Sequence, residues 1–172
     1  MILVIVQARI NSSRLKGKVM ISQNSIPYIE ILLRRLEMAK KVNSIIVATG
    51  PESINQELIN FLKKNKVNYY SGSEEDVLDR FYNAAKKYNG KTIIRITADC
   101  PLTDPTLLDQ MIDKFNHQNV DYLSNINPPT FPDGFDIEIF TFQALKIANE
   151  NASSSYDREH VTPFIRKNYI FN

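Results

Sequence analysis

The chain opens on an unbroken apolar run, Ile2 to Val6. A run this short and rich in β-branched side chains predicts a strand buried on both faces of a parallel sheet. It stops at Gln7-Ala8, and a polar stretch follows that gathers Arg9, Asn11, Ser12, Ser13, Arg14, Lys16, Gly17 and Lys18. Between Pro27 and Lys40, apolar residues at Ile29, Leu32, Leu33, Leu36 and Ala39 recur at the spacing of an amphipathic helix. Ser44 to Thr49 predicts a second buried strand closed by Gly50-Pro51, Ile54 to Lys64 a helix, and Val67 to Tyr70 a short strand. Ser73, standing before an acidic triplet and the apolar positions Val77, Leu78, Phe81, Tyr82 and Ala85, predicts a capped helix with carboxylates near its N-terminal dipole. Lys91 to Thr97 predicts a fourth strand. After it Thr103 or Asp104 is placed to cap a helix with Pro105 in its first turn and Leu107, Leu108, Met111, Ile112 and Phe115 inward.

Four strand-then-helix units in succession imply a three-layer α/β/α, Rossmann-like arrangement with a mostly parallel sheet and right-handed crossovers. From Val120 the texture changes. A short strand, a loop from Asn125 to Gly134 with three prolines, an alternating strand Phe135 to Phe140 and a helix over Phe142 to Asn149 are expected. The loop is placed to act as a lid or substrate rim. Ser153 to Lys167 predicts a last helical segment in which Pro163 imposes a start or a kink.

With 172 residues, 43% of them hydrophobic, the chain is sized for a single domain, here 1–172. Lys and Arg number 21 against 19 Asp and Glu, so no overall basic field argues for nucleic acid or a membrane surface, and any cationic site must be local. One cysteine, Cys100, rules out an intramolecular disulfide, and with two histidines makes a Cys/His zinc site unpromising. That usage suits a reducing cytoplasm. The first strand carries no signal-peptide pattern, and no apolar run nears the roughly 20 residues of a membrane span.

The polar stretch after the first strand lies beyond the carboxyl end of the sheet, where open α/β sheets bind ligands. Arg forks, Lys points and Ser hydroxyls in a turn-compatible loop suit a polyphosphate, although neither a Walker A nor a dinucleotide-binding glycine motif is present and a solvated basic loop would look the same. Asp99, just after the fourth strand, falls on that same side. A carboxylate facing a polyphosphate is explained by a shared Mg²⁺, or in the simpler case by turn formation before Pro101. Asp133, Asp136 and Glu138 form a second acidic group; the latter two share one face of the expected strand and point either at a ligand or at water. His160, beside Arg158 and Glu159, reads as a capping or core residue, and Cys100 as buried filler.

These residues carry a resemblance. QARINSSRLKGKV at Gln7 to Val19 is similar to the Q-A-R-x-x-S-x-R-L-x-G-K-V signature of the cytidylyltransferase family of spore coat polysaccharide biosynthesis protein F, a branch of the acylneuraminate and KDO cytidylyltransferases. GSEEDVLDRF at Gly72, RITADCPLTDP at Arg95, FPDGFDIEIF at Phe131 and REHVTPFI at Arg158 resemble that family's segments in the same order. The resemblance implies a nucleotide-diphospho-sugar transferase fold with the nucleotide above the first strand, held by Gln7, Ala8, Arg9, Ser12, Ser13, Arg14 and Lys18. Asp99 matches the metal aspartate, binding Mg²⁺. Lys16 stands where the family usually has Pro, and Ser25-Ile26-Pro27 where it has Gly-Lys-Pro. The family also continues past the REHVTPFI-like segment into a tail with a further acidic residue, whereas this sequence ends at Asn172, short of it.

The expected reaction is CTP plus a sugar or sugar acid giving a CMP-sugar and pyrophosphate, for cell-surface polysaccharide. Asp99 would hold the metal, Arg14 and Lys18 would neutralise the departing pyrophosphate, and Asp133, Asp136 and Glu138 would line the sugar side. Two alternatives stand beside it, a glycosyltransferase using a preformed nucleotide-sugar and a nucleotide-binding module without turnover. A homodimer is left open.

Overall fold

The computed structural model describes residues 1–11, 15–168 and 171. A six-stranded sheet in the order β5-β4-β1-β6-β8-β7 forms its centre, with β1 over Ile2–Gln7, β4 over Ser44–Thr49, β5 over Tyr69–Ser71, β6 over Thr92–Thr97, β7 over Tyr122–Ser124 and β8 over Glu138–Thr141. β1 pairs in parallel with both β4 and β6, and β4 with β5, while β8 runs antiparallel to β6 and β7. The architecture is the expected three-layer, Rossmann-like α/β/α.

Alternation along β1 divides the interior. Val4 and Val6 face one core, packed by α1 (Tyr28–Leu36), α2 (Glu52–Lys64) and α4 (Pro105–Gln118) through residues such as Leu32, Leu58 and Leu108. Leu3 and Ile5 face the other, packed by α3 (Val77–Lys87) and α5 (Phe142–Asn151) through Leu78, Phe81 and Leu145. All four of those β1 side chains are fully buried, which is why the strand reads as one continuous apolar run.

Several boundaries depart from expectation. The first helix starts at Tyr28, with Pro27 ending a two-stranded ribbon, β2 (Ser22–Gln23) and β3 (Ile26–Pro27), whose turn holds Asn24 and Ser25 at φ 51 and 66. Asp76, not Ser73, caps α3, accepting from the Asp79 N–H at 3.0 Å, and Ser73 Oγ accepts from the Asp76 N–H instead. Of the two expected caps for α4, Asp104 is the one used. The last segment is two short helices, α6 (Ser155–His160) and α7 (Pro163–Lys167), broken at Val161, whose φ is 71. β8 begins only at Glu138, so Asp136 lies in the loop before it. Among the described residues no helix is long and apolar enough to cross a membrane.

Candidate active site

The carboxyl ends of β1 and β6 are neighbours because the two strands pair from Ile2↔Thr92 to Gln7↔Thr97. Each leads straight into a charged segment, and Lys18 meets Asp99 there with Nζ 2.6 Å from Oδ2, across 81 positions of sequence. Lys18 reaches that point because the loop closes on itself. The Gly17 N–H donates to the Ile10 carbonyl at 2.8 Å, and Gly17, at φ 72, turns the chain into a short 3₁₀ turn, Lys18–Met20. A side chain would strain that left-handed backbone.

The pair lies in a cleft of about 290 Å³ whose walls include Arg9, Lys18, Thr97, Asp99, Glu159 and His160. Burial would lift the Asp99 carboxyl, but hydrogen bonds from Lys18 and Thr97 and the Lys18 charge outweigh it, and its pKa falls below the ordinary carboxylate value. Arg9, opposite, lies 3.9 Å from Glu159 in a looser, exposed pairing. Arg9 and Lys18 are thus each opposed by a carboxylate that an incoming polyanion would displace, and a third cation of the lining, Arg95, is held by Glu138. A larger hollow of about 350 Å³ lies at the other end of β4, around Asn43, Ser44 and Asn68, far from this juxtaposition.

Under the cleft runs a chain of polar contacts. Gln7 Oε1 accepts from Arg95 Nε and Nη2 at 3.1 and 2.9 Å, Arg95 Nη1 pairs with Glu138, and Glu138 Oε1 accepts from Tyr122 Oη at 2.7 Å and Thr162 Oγ1 at 2.6 Å. Burial, reinforced by the Glu138 charge, pushes the Tyr122 phenol far up. This corrects the expectation for Glu138. Its side chain is 2% exposed with both oxygens engaged, so it frames the site from beneath instead of lining a sugar pocket beside Asp136.

Of the other expected residues, Gln7, Ala8, Arg9, Lys18 and Asp99 all border the cleft. Ser12, Ser13 and Arg14 lie outside the described residues. Asp133 is exposed and Asp136 half-buried on the loop leading to β8. Cys100 is buried, and burial lifts its thiol, with Asp99, Asp136 and Asp133 adding to the rise against a hydrogen bond shared with Thr97. Glu159, His160 and Thr97 join the cleft without having been expected there. A helix that ends at a sheet edge leaves no periodic trace of which cleft it borders.

Asp136 supports a stability prediction. Burial, followed by the charges of Asp133, Glu138 and Asp99, holds its carboxyl above the ordinary range. The native state then keeps this proton to higher pH than the unfolded chain, so the contribution to stability is present at low pH and is lost as pH climbs through the raised value. Asp136→Asn is expected to melt higher than the parent at pH 7 and level with it at pH 3. Thermal melts at the two pH values check this, and a lower melting point at pH 7 would make the carboxylate a needed acceptor.

The family model described as Cytidylyltransferase matches residues 3–171. The chain is 45% identical over 164 residues to the uncharacterized protein MJ1063 of Methanocaldococcus jannaschii, covering 95% of this chain and 66% of that protein. It is 35% identical over 170 residues to the spore coat polysaccharide biosynthesis protein SpsF of Bacillus subtilis, covering 96% and 70%. Its structure superimposes on that of a cytidylyltransferase from Leptospira borgpetersenii with a TM-score of 0.92 at 36% identity, over 97% of this chain and 71% of that one. The chain thus spans about two thirds of the length of these relatives. On the match across nearly its whole length, with Gln7, Arg9, Lys18 and Asp99 gathered at one cleft, the chain belongs to the cytidylyltransferase family.

Proposed function

We propose that the protein transfers a cytidylyl group from CTP to a sugar or sugar acid, with release of pyrophosphate, to supply activated sugar for cell-surface polysaccharide. The observation that supports this most directly is the Lys18–Asp99 pair at 2.6 Å, a phosphate-type cation and a metal-type carboxylate in one cleft with Arg9 opposite. The sugar oxygen bonds to the α-phosphorus, losing its proton, as the bond to the pyrophosphate oxygen breaks. Such chemistry asks the protein chiefly for positioning and charge. Lys18 and Arg9 bind phosphate oxygens as their carboxylates release them, and Arg14 joins them in neutralising the departing pyrophosphate. Asp133 and Asp136, on the loop beside Asp99, offer acceptors to sugar hydroxyls.

Mg²⁺ fits the donors. Asp99 is an ionised hard oxygen ligand with 39% of its side chain exposed, and Mg²⁺ is commonly held by one or two carboxylates plus substrate phosphates. Among the described residues no three His, Cys, Asp or Glu side chains assemble into a cage, which accords with an ion shared with the substrate. When bound there, the ion would neutralise phosphate charge and polarise the α-phosphoryl group.

A pyrophosphate-release screen of CTP, UTP, GTP and ATP against sugar acids and sugar phosphates tests the reading. Release with CTP and one acceptor class is expected. Nucleotide binding without release for any acceptor would favour a binding module, and sugar transfer from a nucleotide-sugar would favour a glycosyltransferase.

A further inference from the structure

The loop that carries Arg9 and Lys18 is fastened at one residue between them. The Ile10 N–H donates to Asn55 Oδ1 at 2.8 Å, and the Ile10 carbonyl accepts from the Gly17 N–H, also at 2.8 Å. Asn55 is fully buried in α2 and leaves helical geometry there, at φ −112 and ψ 24. Its Nδ2 donates to the Pro51 carbonyl at 3.2 Å and to Glu74 Oε2 at 3.1 Å. Few side chains fill this position, which needs an acceptor for a buried backbone N–H and a donor for a carbonyl and a carboxylate at once.

The surroundings are shaped for this bond. A Cβ on Gly50 would lie 1.6 Å from Glu74 Oε2 and 2.7 Å from Asn55 Nδ2, so only glycine leaves room for the two to meet. Arg80, fully buried beneath them, donates from Nη1 to the carbonyls of Ser73 and Glu74 and keeps that segment in place. Contacts thus run from Glu74 through Asn55 to Ile10, and from Ile10 through Gly17 to the residue that meets Asp99.

We propose that Asn55, working with Glu74, is a positioning residue for the phosphate loop. It sets the backbone at Ile10, and through it the placing of Arg9 and Lys18 over the cleft. The inference rests on the reading of that cleft as a polyphosphate site.

The test is an exchange of donor and acceptor. Asn55→Asp keeps an acceptor for the Ile10 N–H but sets a carboxylate against Glu74; adding Glu74→Gln gives the introduced carboxylate an amide donor. Two measurements follow each variant: calorimetric affinity for CTP and for inorganic tripolyphosphate, and hydrogen exchange at the Ile10 amide by NMR. Asn55→Asp is expected to weaken both ligands about tenfold, the scale of one lost hydrogen bond, and to speed exchange at Ile10. The double variant is expected to recover to within about threefold, in both measurements, because one donor–acceptor contact is restored. A residue that only stabilised the fold would change melting temperature without this paired loss and rescue. Unchanged affinity in Asn55→Asp, or a folded double variant that recovers nothing, overturns the proposal; if Asn55→Asp does not fold, the double variant against the parent decides. A parent chain that binds neither ligand overturns the reading of the cleft instead, and Ile10 exchange then still reports whether Asn55 holds the loop.

Discussion

Asp99→Asn is expected to abolish the Mg²⁺ dependence of CTP binding and to lower kcat/KM for pyrophosphate release about a hundredfold or more, since a bound metal supplies several kcal/mol of charge stabilisation. The fold should survive. The Lys18–Asp99 pair is partly exposed, at 27% and 39% of the two side chains, and pairs of that kind contribute about 0–1 kcal/mol. A second consequence separates this from general damage. On the proposed assignment the Asp99 carboxylate, without metal, would compete with phosphate for Lys18 and repel it, so in a chelator the variant should bind CTP as tightly as the parent or more tightly. Adding Mg²⁺ should then tighten binding in the parent alone. Calorimetry with and without Mg²⁺ decides it, and equal Mg²⁺ enhancement in both proteins would remove Asp99 from the metal site.

The same two residues show what one sequence reveals. β1 and β6 were legible as apolar runs, and a parallel sheet brings their carboxyl ends to one edge, so Lys18 and Asp99 could be assigned to a common side of the molecule. Their contact could not, because it depends on the turn at Gly17 and on the Ile10–Gly17 bond that bends the loop back. Asn55 was invisible for a related reason. Within an amphipathic helical pattern a polar residue reads as solvent-facing, and only the tertiary approach of Ile10 and Glu74 makes a buried asparagine favourable there.

Elsewhere the pattern itself was too short. Two-residue strands such as β2 and β3 carry no alternation to detect, and Ser73 to Asp76 offers two capping residues, Ser73 and Asp76, between which tertiary contact chooses: Asp76 also receives the Arg158 guanidinium, with Nη2 to Oδ2 at 2.6 Å. Glu138 is the most instructive departure. Alternation set it beside Asp136 on one face, but register opposes it to Arg95 across the β6–β8 pairing, and the alternation within one strand does not show which residue of the neighbouring strand it will face.

That register makes Glu138 a position where a substitution should cost much stability. Its carboxylate neutralises Arg95, whose side chain is 14% exposed, and accepts from Tyr122 and Thr162. Glu138→Ala would leave a largely buried cation without its counter-charge and two hydroxyls without their acceptor, and removing one partner of such a pair costs about 3–5 kcal/mol. For a chain of this size that corresponds to a fall of about 6–20 °C in Tm. Removing both charges together, as Arg95→Met with Glu138→Met, should cost less than the single truncation, because no uncompensated ion remains and the loss reduces to the hydrogen bonds of Gln7, Tyr122 and Thr162. The cleft should register the change as well, since Gln7 Oε1 accepts from both Nε and Nη2 of Arg95 and Gln7 borders the cavity beside Arg9. Thermal and denaturant unfolding of the two variants provide the measurement. A Glu138→Ala protein within about 1 kcal/mol of the parent, or a double variant less stable than the single one, would show that the pair does not hold β6 and β8 together in the way its burial implies.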